Sequence, residues 1–226
     1  MTSFLFQDFN ERCTEVSKYF VFLKNLQQET IKLNMGNVKN PKTKAINSEL
    51  LKTLKASAFL LLYNLAESTM RNTIEAIFDE LCSKGVSFDE IRPELKTIVL
   101  KNIKKKKPDE IKSKITTIAL DIINVGFNKE ELFSGNIDAR LIKQTAKQYG
   151  FSPETDYQQT KNGEDLLKVK SNRNNLAHGI KSFAEVGKEH TADELIQIKD
   201  KVIRYLRQIL QNVESYLTQQ EYLDPS

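Results

Sequence analysis

A short polar run, "KSNRNNLAHG" at residues 170–179, contains the residue types best suited to chemistry in this chain. Arg173 can bind a phosphate group through two parallel hydrogen bonds and stabilise extra negative charge on it. His178 is one of two histidines in the chain, and an imidazole can exchange protons near neutral pH. Asn174 and Asn175 add neutral donors and acceptors. Together these groups suit RNA cleavage by attack of the 2′-hydroxyl, which requires no metal ion.

The spacing of the arginine and the histidine raises a geometric question. Arg173 continues an apolar stripe that repeats in steps of three and four residues from Leu166 to Leu176, so it lies on the core-facing side of a predicted helix. A charged side chain there requires a partner or a function. Five residues of α-helix rotate by about 140°, so Arg173 and His178 do not share a face. They converge if the helix end is irregular, or if a second subunit supplies a matching pair. The structural alternative is a buried ion pair for Arg173 and a helix-terminating role for His178.

The elements that must position this run are predicted to be helices. Glycines and prolines divide the chain into segments with helical periodicity, and no segment has a convincing alternating pattern. Capping boxes begin helices at Ser87 and Thr191, and Gly85 and Gly179 stand where helices end. We therefore predict an all-α fold, with residues 1–226 forming one helical-bundle domain. The predicted helices are 5–34, 47–84, 88–105, 109–124, 136–149, 162–178 and 191–220.

Two of these helices have distinct roles in the predicted bundle. The long helix 47–84 is apolar on most sides between Ala56 and Leu65, which predicts a central position. It also carries Glu67, Arg71 and Glu75 at i, i+4 spacing, which predicts a structural ion-pair ladder. Glu67 and Arg71 are at the same time secondary candidates for substrate contact, as are Lys170 and Asn175. The C-terminal helix is amphipathic, and its apolar stripe is predicted to form a core or dimer seam.

Composition and charge exclude several classes of protein. The 226 residues are 39% hydrophobic and 28% charged, which is typical of a globular protein. No apolar run approaches the roughly 20 residues that span a bilayer, and the N-terminus has no signal-peptide pattern. Cys13 and Cys82 are far apart, so we expect reduced thiols and a cytoplasmic protein without membrane association. The net charge of +4 permits a partner that carries phosphates.

Other chemistry has little support in the sequence. Zinc sites need clustered Cys and His ligands, but Cys13, Cys82, His178 and His190 are scattered, so we predict no metal site and no cofactor. His190 is interpreted as a loop residue. The lysine run "KNIKKKKPDEIK" at 101–112 is either a solvated helix end or a contact to RNA phosphates without sequence readout.

The motif and its surroundings resemble the HEPN superfamily (higher eukaryotes and prokaryotes nucleotide-binding). "VKSNRNNLAHG" follows a strongly helical segment and precedes "SFAEVGKEHTADEL" and a long amphipathic helix. "LLYNLAESTMRNTIEAI", "GNIDARLI" and "YGF" further resemble stand-alone bacterial members, so the likeness covers nearly the whole chain. The family motif is an arginine, a polar residue, a short spacer and a histidine. It corresponds here to Arg173, Asn174 and His178.

The resemblance implies an α-helical and often dimeric protein in which two motifs face each other across a composite cleft. Many members are metal-independent endoribonucleases of toxin–antitoxin, phage-defence or RNA-processing systems. An antitoxin or a nucleotidyltransferase partner would be a separate chain. The alternative implied function is a catalytically inactive helical module that dimerises or binds RNA or a protein.

Overall fold

The computed structural model describes residues 4–36, 42–106, 118–127, 132–133 and 135–225. These residues form an all-α fold with one small hairpin, which confirms the predicted fold class. The hairpin pairs β1 (Leu33–Met35) with β2 (Lys42–Lys44) in antiparallel register. The helices are α1 Phe4–Gln27, α2 Ser48–Ser83, α3 Pro93–Ile103, α4 Ile118–Gly126, α5 Ala139–Tyr149, α6 Tyr157–Thr160, α7 Asp165–Ala177, α8 Phe183–Lys188 and α9 Ala192–Thr218.

The long helix α2 is central, as predicted. It packs against α1, α7, α8 and α9, and Ala56, Phe59 and Leu62 along it are fully buried. Its first turn is capped by Asn47, whose side chain accepts a hydrogen bond from the backbone N–H of Glu49 at 2.7 Å. Its last turn ends at Gly85, which has φ +62°. An all-round apolar helix is stable only where other helices cover each side, and the bundle provides that cover.

The C-terminal helix α9 packs against α1 and α2 and completes the bundle. Its predicted capping box is present, because Glu194 N–H donates to the Thr191 hydroxyl at 3.2 Å and Thr191 N–H donates to the Glu194 carboxylate at 2.8 Å. The apolar stripe of α9 packs on α1 and α2 and is buried within this chain. The stripe predicted as a core or dimer seam is therefore core.

Helix α7, which carries the motif, is held along its whole length. Leu166 and Val169 are buried, and the buried Asp165 forms ion pairs with Lys168 at 3.2 Å and with Lys201 of α9 at 3.4 Å. At the other end Gly179 has φ +66°, and the backbone N–H of residue 180 donates to the carbonyl of residue 175 at 2.9 Å. This 6→1 bond is the Schellman ending that the glycine predicted. The motif therefore sits on a rigid element.

Two sequence expectations about element boundaries were wrong. Residues 88–90 form a turn, and α3 begins at Pro93 instead of residue 88. Ser87 and Glu90 do bond to each other, with Ser87 N–H donating at 2.7 Å, but they close this turn and cap no helix. The reason is Pro93, which disfavours helical geometry at Arg92, where ψ is 153°. Likewise α1 ends at Gln27 instead of residue 34.

The remaining differences concern short or partly described elements. The hairpin and the short helices α6 and α8 were not predicted, since strands of three residues are too short to show an alternating pattern. Helix α7 begins at Asp165 instead of residue 162, because Asn162 has φ 52° and interrupts the helical path. Of the predicted helix 109–124, residues 109–117 lie outside the described residues. No described helix is long and apolar enough to cross a membrane.

Candidate functional site

Arg173 lies on the side of α7 that faces α2, as the apolar stripe predicted. Its guanidinium carbon is 4.5 Å from the centroid of the Tyr63 ring. Nη1 donates to the carbonyl of Gly135 at 3.4 Å and to the side-chain oxygen of Asn174 at 2.9 Å. A cation over an aromatic face is stabilised by the ring quadrupole, by about 0.5–2 kcal/mol depending on desolvation. The arginine is thus held in one orientation by a ring, a carbonyl and its own motif neighbour.

The charge of Arg173 is not neutralised by any carboxylate in the part of the chain that the structure describes. Both hydrogen bonds of its side chain to described residues use Nη1. Nε and Nη2 form one edge of the planar guanidinium, and within the described residues neither makes a hydrogen bond. That edge can bind a phosphate through two parallel hydrogen bonds. The alternative of a buried ion pair for Arg173 therefore has no carboxylate to support it among these residues.

Arg173 opens into a cavity of about 410 Å³ between α1, α2 and α7. Three guanidinium groups and one carboxylate line it, so its charge balance is positive. Such a balance, with neutral hydroxyl and amide groups beside it, suits an anion of phosphate size and polarity. Its lining residues are Arg12, Leu60, Tyr63, Asn64, Glu67, Ser68, Arg71 and Arg173.

The predicted ion-pair ladder on α2 forms one wall of this arginine cavity. Arg71 Nη2 lies 2.8 Å from Glu67 Oε1, and it also donates to the carbonyl of Phe133 at 2.8 Å. The two side chains are about a quarter exposed (28% and 20%), so solvent screens the pair only in part. Arg71 is thus occupied by its neighbours, whereas Arg173 retains an edge for a ligand. A substrate contact of Glu67 or Arg71 stays a prediction.

Tyr63 was not singled out in the sequence, yet it connects most of the site. Its ring supports Arg173, and its hydroxyl accepts a hydrogen bond from the backbone N–H of Ile137 at 3.2 Å. Burial raises the pKa of Tyr63 to about 12, and hydrogen bonding to the Glu67 carboxylate acts in the same direction. The phenol is therefore neutral at physiological pH. The available signal was the i, i+4 series on α2, which begins at Tyr63 and continues through Glu67 and Arg71.

Arg12 enters the cavity from α1, and sequence spacing contained no signal for it. It pairs with Asp8 at 2.8 Å, and the same carboxylate oxygen accepts from the side-chain amide of Asn72 at 2.8 Å. Asp8 thereby connects α1 to α2 and holds the third arginine of the cavity. Contacts of this kind depend on how two distant helices pack, so periodicity within one helix cannot reveal them.

His178 lies at the C-terminal end of α7, outside the arginine cavity. Its backbone N–H donates to the carbonyl of Asn174 at 3.0 Å, and its side chain is exposed. Within the described part of the chain the imidazole makes no hydrogen bond, ion pair or ring contact. The helix keeps regular geometry up to Ala177, so the rotation between Arg173 and His178 persists. A single chain does not bring the two side chains together.

The other predicted site residues have identifiable places. The side-chain oxygen of Asn174 accepts from Arg173, and the carbonyl of Asn175 closes the helix ending. Lys170 forms an ion pair with Asp138, which also caps α5 by accepting from the N–H of Leu141 at 2.9 Å. Burial opposes ionisation of Asp138, but the hydrogen bonds from Lys170 and the helix backbone outweigh it and lower its pKa. Substrate contacts of Asn175 and Lys170 stay predictions.

The second histidine has a different environment. His190 lies in the loop before α9, as predicted, and its ring packs edge-on against Phe59 with 5.0 Å between centroids. Burial lowers the pKa of His190 despite the nearby carboxylates of Glu194 and Glu189. Cys13 is buried and Cys82 is exposed, and neither is in a disulfide. Among the described residues no three His, Cys, Asp or Glu side chains lie close enough together to hold a metal ion.

One protein family matches nearly the whole chain. The profile of the HEPN_MAE_28990-like HEPN domain matches residues 1–222. Comparison with curated proteins and with solved structures returned no significant match. The matched region contains every helix described above, the arginine cavity and the polar motif at the end of α7. The chain therefore belongs to the HEPN superfamily, in its MAE_28990-like family.

Proposed function

We propose that this protein is a metal-independent endoribonuclease that cleaves RNA in a cleft shared by two copies of the chain. Arg173 binds the scissile phosphate and stabilises the charge that develops on it, and Asn174 orients Arg173. His178 transfers the proton when the 2′-hydroxyl attacks, which opens the phosphodiester into a 2′,3′-cyclic phosphate and a 5′-hydroxyl. The residues supply anion binding and proton transfer, and RNA supplies the nucleophile.

The observation that carries this proposal is the state of Arg173. Its charge has no carboxylate partner among the described residues, while a ring and two oxygens hold it in position. A half-buried arginine in that state is energetically unfavourable unless an anion binds to it. Its Nε–Nη2 edge provides the two-pronged contact that phosphate prefers. Arg71, which pairs with Glu67, shows the opposite arrangement.

A second copy of the chain can bring a His178 side chain to Arg173, which a single chain does not do. In a two-fold dimer, identical surfaces meet, so the His178 of each copy can approach the motif of the other. The outer face of α7 that carries His178 also exposes Leu167, which is 55% accessible, and Ile180 beyond the helix end is 70% accessible. Exposed apolar side chains beside a polar motif suit a subunit contact. This surface supports the predicted homodimer.

Membership of the HEPN superfamily supports our proposal for the biological setting. We propose a cytoplasmic toxin, phage-defence or RNA-processing component, with an antitoxin or nucleotidyltransferase on a separate chain. The alternative is an inactive module that dimerises or binds RNA or a protein. It is favoured by the separation of Arg173 from His178 within one chain.

The direct test is incubation of the purified protein with mixed RNA in excess chelator. We expect cleavage that leaves 2′,3′-cyclic phosphate ends, and we expect DNA of the same sequence to stay intact because it lacks the nucleophile. Activity that disappears in chelator and returns with magnesium contradicts the proposed mechanism.

A mixing experiment tests the shared cleft. Arg173→Ala and His178→Ala proteins are each inactive alone in our proposal. After subunit exchange, half of the dimers are mixed, and each mixed dimer has one intact site of its two. We therefore expect the mixture to recover about a quarter of wild-type activity. Failure to recover activity, in a mixture shown by light scattering to exchange subunits, contradicts a site built from two chains.

A further inference from the structure

A second cavity, of about 490 Å³, lies between α3 and α5. We call it the lysine cavity, because Lys101, Lys105 and Lys147 line it and are all exposed. Its apolar walls include Phe133 and Tyr149, which are 4% and 6% accessible. An apolar interior with cations at its opening accepts a ligand that is flat and apolar at one end and anionic at the other.

Among the described residues that line the lysine cavity there are three lysines and one carboxylate. Glu94 lines it, but this carboxylate pairs with Arg92 at 2.9 Å. Lys101 and Lys147 form no ion pair with any residue that the structure describes. Two ammonium groups therefore face solvent at the edge of an apolar recess, where they attract phosphate.

Neutral polar groups complete the lining. Thr97, Thr145 and Gln148 contribute hydroxyl and amide groups beside the aromatic walls. Those groups can form hydrogen bonds with the edge of a nucleobase, while the rings contact its face. A lipid headgroup shares the phosphate but lacks a flat base that would use the apolar walls and the amide together. The lining therefore fits a nucleotide.

The lysine cavity and the arginine cavity share a wall. The Phe133 side chain lines the lysine cavity, and the Phe133 carbonyl accepts a hydrogen bond from Arg71 of the arginine cavity at 2.8 Å. Ile74 and Arg71, which line the two cavities, are three residues apart on α2, or about 4.5 Å along the helix axis. The two cavities therefore adjoin the same turn of α2 and the same residue, Phe133.

We propose that the lysine cavity binds a nucleotide of the RNA strand next to the phosphate held by Arg173. The proposal rests on the proposed function, since it extends the path of the same substrate. It assigns phosphate contacts to Lys101 and Lys147 and base contacts to the aromatic and amide lining.

The test measures the affinity of a fluorescent single-stranded 2′-O-methyl RNA, which cannot be cleaved by 2′-hydroxyl attack, over a range of salt concentrations. Each phosphate contact on single-stranded nucleic acid contributes about 0.7 to the slope of log K against log salt, so Lys101→Ala/Lys147→Ala should reduce the slope by about 1.4. Lys32→Ala/Lys44→Ala is the matched control, because it removes the same charge from two exposed lysines that line neither cavity. We expect the control to keep the wild-type slope.

A second variant removes no lysine. Gln148→Glu keeps the side-chain size and adds a negative charge to the cavity lining, so we expect it to weaken RNA binding at low salt. A wild-type slope for Lys101→Ala/Lys147→Ala, together with unchanged affinity for Gln148→Glu, overturns the lysine cavity as an RNA site.

Substrate length separates this proposal from the proposed function. A dinucleotide has only the phosphate held by Arg173 and no further phosphate for the two lysines, so Lys101→Ala/Lys147→Ala should cleave it at the wild-type rate and cleave longer RNA more slowly. Equal slowing on both substrates overturns the assignment of a neighbouring nucleotide. If wild-type protein cleaves neither substrate, the proposed function fails, and the salt slopes still decide whether the cavity binds RNA.

Discussion

The two ends of the polar motif differ in how the protein holds them. Arg173 is half-buried and restrained by the Tyr63 ring, the Gly135 carbonyl and the Asn174 side chain. His178, five residues later, is exposed, and its imidazole has no contact among the described residues. One chain thus builds the anion-binding half of the candidate site and leaves the proton-transfer half open.

In our proposal this difference identifies the half of the site that needs a partner. A group that stabilises charge works best when it is held in place before the reaction, because no reorganisation is then required. A proton-transfer group must also be positioned against its substrate, within about 2.6–3.2 Å. Nothing in the described part of the chain positions the imidazole of His178. In our proposal a second subunit and the bound RNA do so.

The largest expected effect is a decrease in the cleavage rate when His178 is replaced. His178→Ala should lower the cleavage rate by about 10²–10⁴-fold, because it removes proton transfer, while RNA affinity and the melting temperature change little. His178→Asn is the control for a helix-terminating role, since asparagine is well tolerated at helix ends but transfers no proton. We expect it to be as inactive as alanine in a single-turnover cleavage assay. Cleavage by His178→Asn at the wild-type rate contradicts the assigned role.

Changes at the arginine end should affect both binding and cleavage. Loss of hydrogen bonds from a charged group costs about 1.5–3 kcal/mol, so Arg173→Ala should weaken RNA affinity by about 10–100-fold and slow cleavage as well. Arg173→Lys should rescue both only in part, because one ammonium does not reproduce a two-pronged contact. Fluorescence anisotropy and cleavage rates on the same preparations test this. Full rescue by lysine would show that only the charge matters.

Two of the three arginines of the cavity, Arg71 and Arg173, should differ in their effect on stability. Arg71→Ala leaves the Glu67 carboxylate and the Phe133 carbonyl without their donor, which costs about 1–3 kcal/mol. For a chain of this size each kcal/mol lowers the melting temperature by about 2–4 °C. Arg173→Ala removes the partner of no carboxylate among the described residues, so we expect a smaller decrease. A larger decrease for Arg173→Ala than for Arg71→Ala, measured by calorimetry, would make Arg173 the structural residue of the two.

Gly135 offers a test of how tightly Arg173 is held. It has φ +77°, and a Cβ there would lie 3.3 Å from both terminal nitrogens of Arg173. Gly135→Ala should therefore add backbone strain of about 1–2 kcal/mol and also shift the guanidinium. Gly85→Ala is the matched control, because φ is +62° and nothing lies within 4 Å of its Cβ. Both variants should melt at lower temperature, but only Gly135→Ala should bind RNA less tightly. Equal RNA affinity of the two variants would show that the position of Arg173 is not critical.

The smallest expected effect is a change in the pH dependence of stability when His190 is replaced. Burial lowers the pKa of His190, so below about pH 6.5 the unfolded chain binds a proton that the folded chain does not. The contribution of His190 to stability is present above that pH and is lost as the pH falls toward the lowered pKa. We expect His190→Leu to flatten the dependence of the unfolding free energy on pH below 6.5. Denaturant unfolding at several pH values measures this dependence, and parallel curves for His190→Leu and wild type contradict this account.

Sequence reasoning succeeded where the deciding interactions are local. The central position of α2, the capping box at Thr191 and the glycine endings at residues 85 and 179 depend on residues within one or two turns of each other. It failed at residue 88, where a good local capping signal was overridden by Pro93 five residues later. The hairpin was not predicted, because strands of three residues are too short to show an alternating pattern of apolar and polar residues.

In the candidate site, too, the features that depend on one helix could be predicted from the sequence. Helical spacing alone placed Arg173 on the inner side of its helix and the Glu67–Arg71 pair on α2, because side chains at i and i+4 share a face whatever the helix packs against. Spacing also showed that Arg173 and His178 do not share a face. Each of these facts depends on the geometry of one helix.

Only the tertiary structure decided what surrounds Arg173. Tyr63 comes from α2, Arg12 from α1 and the Gly135 carbonyl from the loop before α5, and these meet because three distant segments pack on one another. The lysine cavity arises in the same way between α3 and α5. The amino-acid sequence by itself determined the helices, their apolar faces and the residues of the motif. Packing between helices decided which charge keeps a carboxylate partner and which is left for a ligand, because that depends on side chains far apart in the sequence.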